Sequence, residues 1–291
     1  MAKDVNSDLT NLMDLLDEQD DSLFEKIVES IISYGVKAIP FLENISENSL
    51  DETVQSRIKG LINEIRIQSL YSELHNWATM DSHDLLKGFF IVSKYQFPDL
   101  DEKRVMARVE ALKREVWLEL KQDMTPFEGA KVISKVFFEV KKFSFVLDAG
   151  SYFNSLSLNV LLETGKSLPI GFIILYAGIA QRLGLHIYGV NLAVPGFLGY
   201  VQPGNNNSVD FKNDLKFYLN PFAEGVFFPK ASIYEGLEVK YSDKMEEYTG
   251  ACDNTKLIMQ YFEFLQNLYK NLKKPEKSLE INRLLKALKV E

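Results

Sequence analysis

Cysteine and histidine are scarce in this chain of 291 residues: Cys252 stands alone, and the histidines are His75, His83 and His186. A single thiol excludes an intramolecular disulfide and gives no sign of an oxidising compartment. The histidines show neither zincin-type spacing nor a matching carboxylate arrangement, so no metal site and no cofactor is expected. Long apolar runs are missing as well. The stretch "PIGFIILYAGIA" falls far short of the ~20 residues a spanning helix needs. Positive charge is in deficit, with 33 Lys and Arg against 41 Asp and Glu and a net charge of −8. That balance argues against nucleic acid or an anionic membrane as the main partner. The opening "MAKDVNSDLTNLMDLLDEQDD" has neither the basic flank nor the apolar core of a secretory leader. These absences lead to the expectation of a soluble, cytoplasmic protein, and the length to two or three packed units.

Helical period is abundant. In "DSLFEKIVESIISYGVKAIPFLENISE", Leu23, Phe24, Ile27, Val28, Ile31 and Ile32 share one face, Gly35 is a stop signal, and a second amphipathic segment surrounds Pro40. One such helix pair resembles a HEAT repeat, although no fixed-period array follows it. A third helix carries Val54, Ile58, Leu61, Ile62 and Ile65 inward. Two more helices flank the turn at Phe97-Pro98-Asp99. The next opens with Thr125 as N-cap, Pro126 at the first helical position and Glu128 three residues after the cap.

The texture changes after Phe145. "SLPIGFIILYAGIAQRLGL" is apolar almost all round, which marks a helix buried on most faces. "HIYGVNLA", "GFLGYVQ" and "KFYLNPF" are rich in β-branched and aromatic residues and are separated by Gly, Pro and polar runs, so they read as antiparallel strands. From Thr255 the chain is helical again and breaks at Lys273-Lys274-Pro275 into a hairpin resembling a tetratricopeptide (TPR) unit; the "KNLKKPEK" charge run reads as its solvated turn. The fold class is α+β. The expected organisation is a HEAT-like region over 1–66, a helical region over 67–125, a core of one buried helix on an antiparallel sheet over 126–245, and a TPR-like hairpin over 246–291.

Residues 158–192, "LNVLLETGKSLPIGFIILYAGIAQRLGLHIYGVNL", carry a resemblance. Leu158-Asn159, Leu161-Leu162-Glu163, Pro169-Ile170, Arg182-Leu183-Gly184 and Gly189-Val190-Asn191-Leu192 follow the pattern of the bacterial SirB-type family of the transglutaminase-like superfamily. "KYQFPDLDE", "FYLNPFAEGVFF" and the helices at both ends are similar to that family too, so the likeness runs over roughly residues 20 to 288. The resemblance implies a transglutaminase-like (papain-like) core. Active relatives place a cysteine at the start of the buried helix, a histidine on the next strand and an Asp or Asn on the strand after. There a thiolate attacks an acyl carbon, imidazole moves the proton and the third side chain orients the imidazole.

In this chain those places are degenerate. Counting back from Arg182 puts the nucleophile at Pro169 to Gly171, the histidine at Pro195 (Gly196 with one insertion) and the third residue at Asn220. None of the first two can act as nucleophile or base, and no catalytic residue is assigned. Gly165 and Ser167 also depart from the family, which tends to have Arg and Gly there. Cys252 reads as a stray structural or surface thiol rather than a relocated nucleophile, and Ser155 and Ser157 as capping residues without a base. Asn159, Tyr176, Asn191, Tyr200 and Asn220 are the candidates for ligand contact, with loop-tying and core packing as the competing roles for the asparagines and tyrosines. The leading expectation is a catalytically inactive protein acting by binding an unknown protein or peptide partner. The alternatives are an acyl transferase or hydrolase using an unrecognised set of residues, and a structural subunit of a larger assembly.

Overall fold

The computed structural model describes residues 12, 21–79, 84–146, 153–190, 197–204, 209–211, 213–221, 226–229 and 249–289. The chain divides into two compact units, residues 1–73 and 74–291. In the first, α1 (Asp21–Ser33) is followed by a 3-10 turn at Gly35–Ala38, α2 (Ile39–Asn48) and the start of the long α3 (Glu52–Thr79). Gly35, at φ 61, takes the left-handed conformation that ends α1. Ile27, Ile31, Ala38, Leu42, Ile58, Leu61, Ile62 and Ile65 form the core of this unit, and Val28, Ile32 and Val54 pack on its margin. Leu23, placed on the inward face by its spacing, lies a turn outside that cluster and is exposed. The side chain of Phe24 lies outside the described residues.

The second unit continues with α4 (Leu85–Ser93), α5 (Glu102–Glu119) and α6 (Pro126–Ser134). Each starts on a side-chain cap: Asp84 accepts from Leu86 and Lys87, Asp101 from Lys103 and Arg104, and Thr125 with Glu128 forms a complete capping box. A π-helical segment, Lys135–Val140, extends α6. Short α7 (Leu158–Thr164) ends at Gly165, again left-handed at φ 67. β1 (Ser144–Phe145) and β2 (Lys166–Ser167) form a parallel pair that the sequence did not suggest, two residues being too few for any period. Then comes α8 (Pro169–Arg182), whose residues Ile170 to Ala180 are all buried, as its all-round apolar character requires.

The main sheet is antiparallel, in the order β6 (Val226–Pro229), β5 (Leu215–Asn220), β4 (Leu198–Val201), β3 (Ile187–Val190), β7 (Ala251–Cys252). Alternation sorts its side chains. Phe217 and Phe227 reach Phe127 of α6, and a Cβ at Gly189 would meet Leu257 of α9, so one face lies against helices. Val190, Val201, Leu215, Tyr218 and Ala251 make a second cluster on the other face, joined by Tyr188, Phe197, Val209, Phe211 and Phe228. α9 (Asn254–Asn271) and α10 (Pro275–Ala287) form the closing hairpin. The mixed helix-and-sheet architecture and the helix at 169–182 followed by antiparallel strands match the α+β expectation.

Candidate functional site

Buried hydroxyl groups hold the segments that lead into α7 and α8. Ser167 is fully buried, and its Oγ donates to the carbonyl of Ser155 at 2.6 Å. Ser157 Oγ donates to the carbonyl of Asn154 at 2.8 Å. Ser93 Oγ, also buried, donates to the Phe89 carbonyl at 2.7 Å and accepts the Leu158 N–H at 2.9 Å, which holds the first turn of α7 against α4. Pro169 occupies the first helical position after Leu168, where its missing N–H is no loss.

A side chain at position 171 has no room. A Cβ there would lie 2.3 Å from Ser167 Oγ and 3.7 Å from Phe89, so glycine is what allows the Ser167 hydroxyl to sit against the helix. The three positions at which the family resemblance leads one to expect the nucleophile are thus a half-buried proline, a buried isoleucine and a glycine sealed by Ser167. Position before Leu158-Asn159 singles out Ser155 and Ser157 in the sequence, whereas Ser167 stands there only as a departure from the family pattern. The signal for Ser167 is its place immediately before Leu168-Pro169, where a helix begins.

The histidine position offers no further geometry: Asn191, Pro195 and Gly196 lie outside the described residues, as does His83. The flanking strands are clear. Gly189 pairs with Leu198 and Leu198 with Leu219, so the last residues of β3, the first of β4 and Asn220 lie at the same end of the sheet. Asn220, the last residue of β5, pairs with Val226. Alternation puts it on the face of Tyr218 and Phe228, opposite the face that Phe127 and Leu257 cover.

The remaining candidates are spread through the unit. Tyr176 is fully buried in the middle of α8; its hydroxyl donates to the Ala130 carbonyl at 2.6 Å and lies 3.1 Å from Ser134 Oγ, and burial pushes its pKa up. That environment makes it a bond between α8 and α6. Tyr200 stacks on Phe217 at 5.2 Å on the helix-covered face, and burial raises its pKa as well. It lies three residues along the ladder from the Asn220 end, about 10 Å at the usual rise, and on the other face. Asn159 sits in the first turn of α7, and its Oδ1 is buried with no hydrogen-bond partner among the described residues. A buried acceptor of that kind calls for a donor or water beyond the described residues.

The other family-pattern residues hold the frame. Arg182 reaches Asp84 Oδ2 at 2.6 Å and Glu110 Oε1 at 2.9 Å, joining the end of α8 to the cap of α4 and to α5. Glu163 takes Arg108 at 2.6 Å, joining α7 to α5. Gln181 and Asn254 exchange amide hydrogen bonds at 2.9 and 3.0 Å, and Gln181 Nε2 also donates to the Ile187 carbonyl, so α8, α9 and β3 share one contact. Cys252 lies in β7 beside Gly189, 3% exposed, its thiol pushed up to about 12 by burial first and Asp253 second. A thiol in that setting is protonated and shielded at neutral pH. Among the described residues, no group of three or more His, Cys, Asp and Glu could hold a metal ion, and no helix is long and apolar enough to cross a membrane.

No curated protein and no solved structure matches the chain. The family model Transglut_core2, described as the transglutaminase-like superfamily, matches residues 103–262, from the start of α5 into α9 and more than half of the chain. By that match, and with the architecture above, the chain belongs to the transglutaminase-like superfamily.

Proposed function

We propose that this protein is a catalytically degenerate member of the superfamily, of the SirB type, and that it acts by binding a protein or peptide instead of turning one over. The observation that carries the reading is the start of α8. Neither Pro169, Ile170 nor Gly171 bears a nucleophile, and the hydroxyl packed against Gly171, that of Ser167, is fully buried and committed to the Ser155 carbonyl. A hydroxyl becomes nucleophilic when a base takes its proton; here a carbonyl holds it and offers no route for it to leave. Cys252 is no substitute, being buried in β7 with its thiol held protonated. In this reading the helix pair before the core is a HEAT-like unit and the hairpin after it a TPR-like unit, both architectures that present surfaces to peptides and proteins.

The test is turnover. Purified protein is assayed against amine-donor and glutamine-donor peptides, casein and activated esters. The expected result is no product above the rate without protein, unchanged in Ser167→Ala and Cys252→Ala. Robust turnover by the wild-type chain, lost in Ser167→Ala while the fold is kept, would establish an acyl transferase or hydrolase with an unrecognised set of residues.

A further inference from the structure

The closing hairpin carries a surface whose chemistry differs from the rest of the chain. Residues 270–291 hold seven Lys and Arg against three Asp and Glu, in a chain whose net charge is −8. Within this basic stretch two leucines face outward: Leu272, where α9 ends, is 42% exposed, and Leu279, one turn into α10, is 66% exposed. Lys273 and Lys274 are exposed in the turn between them, and Lys286 follows Leu279 by seven residues and so shares its helix face. The platform beneath is fixed. Ile281, Leu284 and Ala287 are buried, Gln266 of α9 bonds Asn282 at 2.6 Å, and Glu280 takes the Tyr95 hydroxyl at 2.7 Å and the Lys277 ammonium at 2.8 Å.

We propose that this outer face of the hairpin docks an acidic amphipathic helix of a partner protein, with Leu272 and Leu279 as apolar anchors and Lys273, Lys274 and Lys286 as the cationic rim. The assignment rests on the reading that the protein acts by binding, and it names the class of partner. An apolar centre inside a mostly basic rim, with Glu276 as the exposed carboxylate one turn before Leu279, selects for a helix that has leucines on one face and carboxylates beside them. It selects against a basic helix by repulsion and against a purely acidic one by the lack of anything to bury.

The experiment is fluorescence anisotropy on the full chain, using a labelled helical peptide of about 18 residues with leucines at i, i+3, i+4 and i+7 spacing and glutamates on the flanks. Two further peptides replace the glutamates by lysine, or the leucines by glutamine. The acidic amphipathic peptide binds saturably and weakens as salt is raised, and the other two do not bind. Leu279→Gln, and separately Lys273→Glu with Lys274→Glu, each weaken binding about tenfold or more, as expected for loss of an anchor or of rim charge worth more than ~1.4 kcal/mol. Trp117→Gln, which removes an exposed apolar side chain on α5, leaves binding unchanged. All these side chains are exposed, so circular dichroism and melting temperature stay as in wild type. Absence of binding, equal binding of either control peptide, or a loss in Trp117→Gln matching that in Leu279→Gln would overturn the assignment. Enzymatic turnover would instead defeat the proposed inactivity and leave this result standing, so the two failures are distinguishable.

Discussion

Ser93 shows how much a single buried hydroxyl does in this core: it donates to Phe89 and accepts from Leu158, so one oxygen ties α4 to the start of α7. Ser93→Ala leaves the Leu158 N–H buried without an acceptor, which costs about 1–3 kcal/mol. Urea unfolding should show the midpoint moving down with the slope unchanged. Cys252 makes a sharper statement about chemistry. Its thiol should resist a disulfide reagent at pH 8 in the native protein and react completely once unfolded. The pH dependence has a definite sign. Burial raises the folded pKa of Cys252 from the usual 9.0 to about 12, and that of Tyr269 from 10.0 to about 12; Tyr95, Tyr176 and Tyr261 shift upward for the same first cause. Groups raised on folding contribute stability that is complete below their unfolded pKa and is lost as pH climbs towards the folded one. Melting temperature should therefore be flat from about neutral pH to about pH 9 and fall steadily between about pH 9 and 12. A melting temperature that rose in that window would contradict the burial of these groups.

At the scale of elements, α8 was the most legible part of the chain, because a helix apolar on every side has nowhere to go but the middle. The caps at Thr125 and Glu128 and the three strands after His186 were legible for the same kind of reason, each being set by residues near in sequence. β7 was not. Two residues, Ala251 and Cys252, have no period to read, and what makes them a strand is the edge of β3 some sixty residues earlier in the chain. The expected nucleophile position was legible in the sequence only through its residue types. Sequence showed that Pro169 to Gly171 cannot attack a carbonyl, but the closure of the position by Ser167 depends on a contact between side chain and helix that spacing does not reveal. Gly171→Ala should consequently destabilise the protein, since the new methyl either displaces the Ser167 hydroxyl from the Ser155 carbonyl or pushes α8 away from it. A cost of about 1–3 kcal/mol is expected, reduced when Ser167→Ala is added in the same chain. Lys142 offers the opposite case: it holds φ 56 just after the π-helical segment, a conformation that suits glycine. Lys142→Gly should raise stability by roughly 0.5–1 kcal/mol.

At the scale of the whole molecule, the family frame survives because its parts hold one another, whatever chemistry they support. Arg182 with Asp84 and Glu110, Gln181 with Asn254, and Tyr95 with Glu280 are each links between segments far apart in sequence. Tyr95→Phe removes the hydroxyl that meets Glu280 and should loosen the hairpin selectively, seen as faster amide exchange in α10 with α8 unaffected. The central claim is that the start of α8 holds no reactive group. It is tested most directly by intact-protein mass spectrometry after prolonged incubation of the native chain with excess fluorophosphonate and, separately, iodoacetamide. The account predicts an unmodified mass in both, with a single carbamidomethyl group appearing at Cys252 only after unfolding. A stoichiometric adduct on the native protein, mapped to Ser167 or to Cys252, would contradict it.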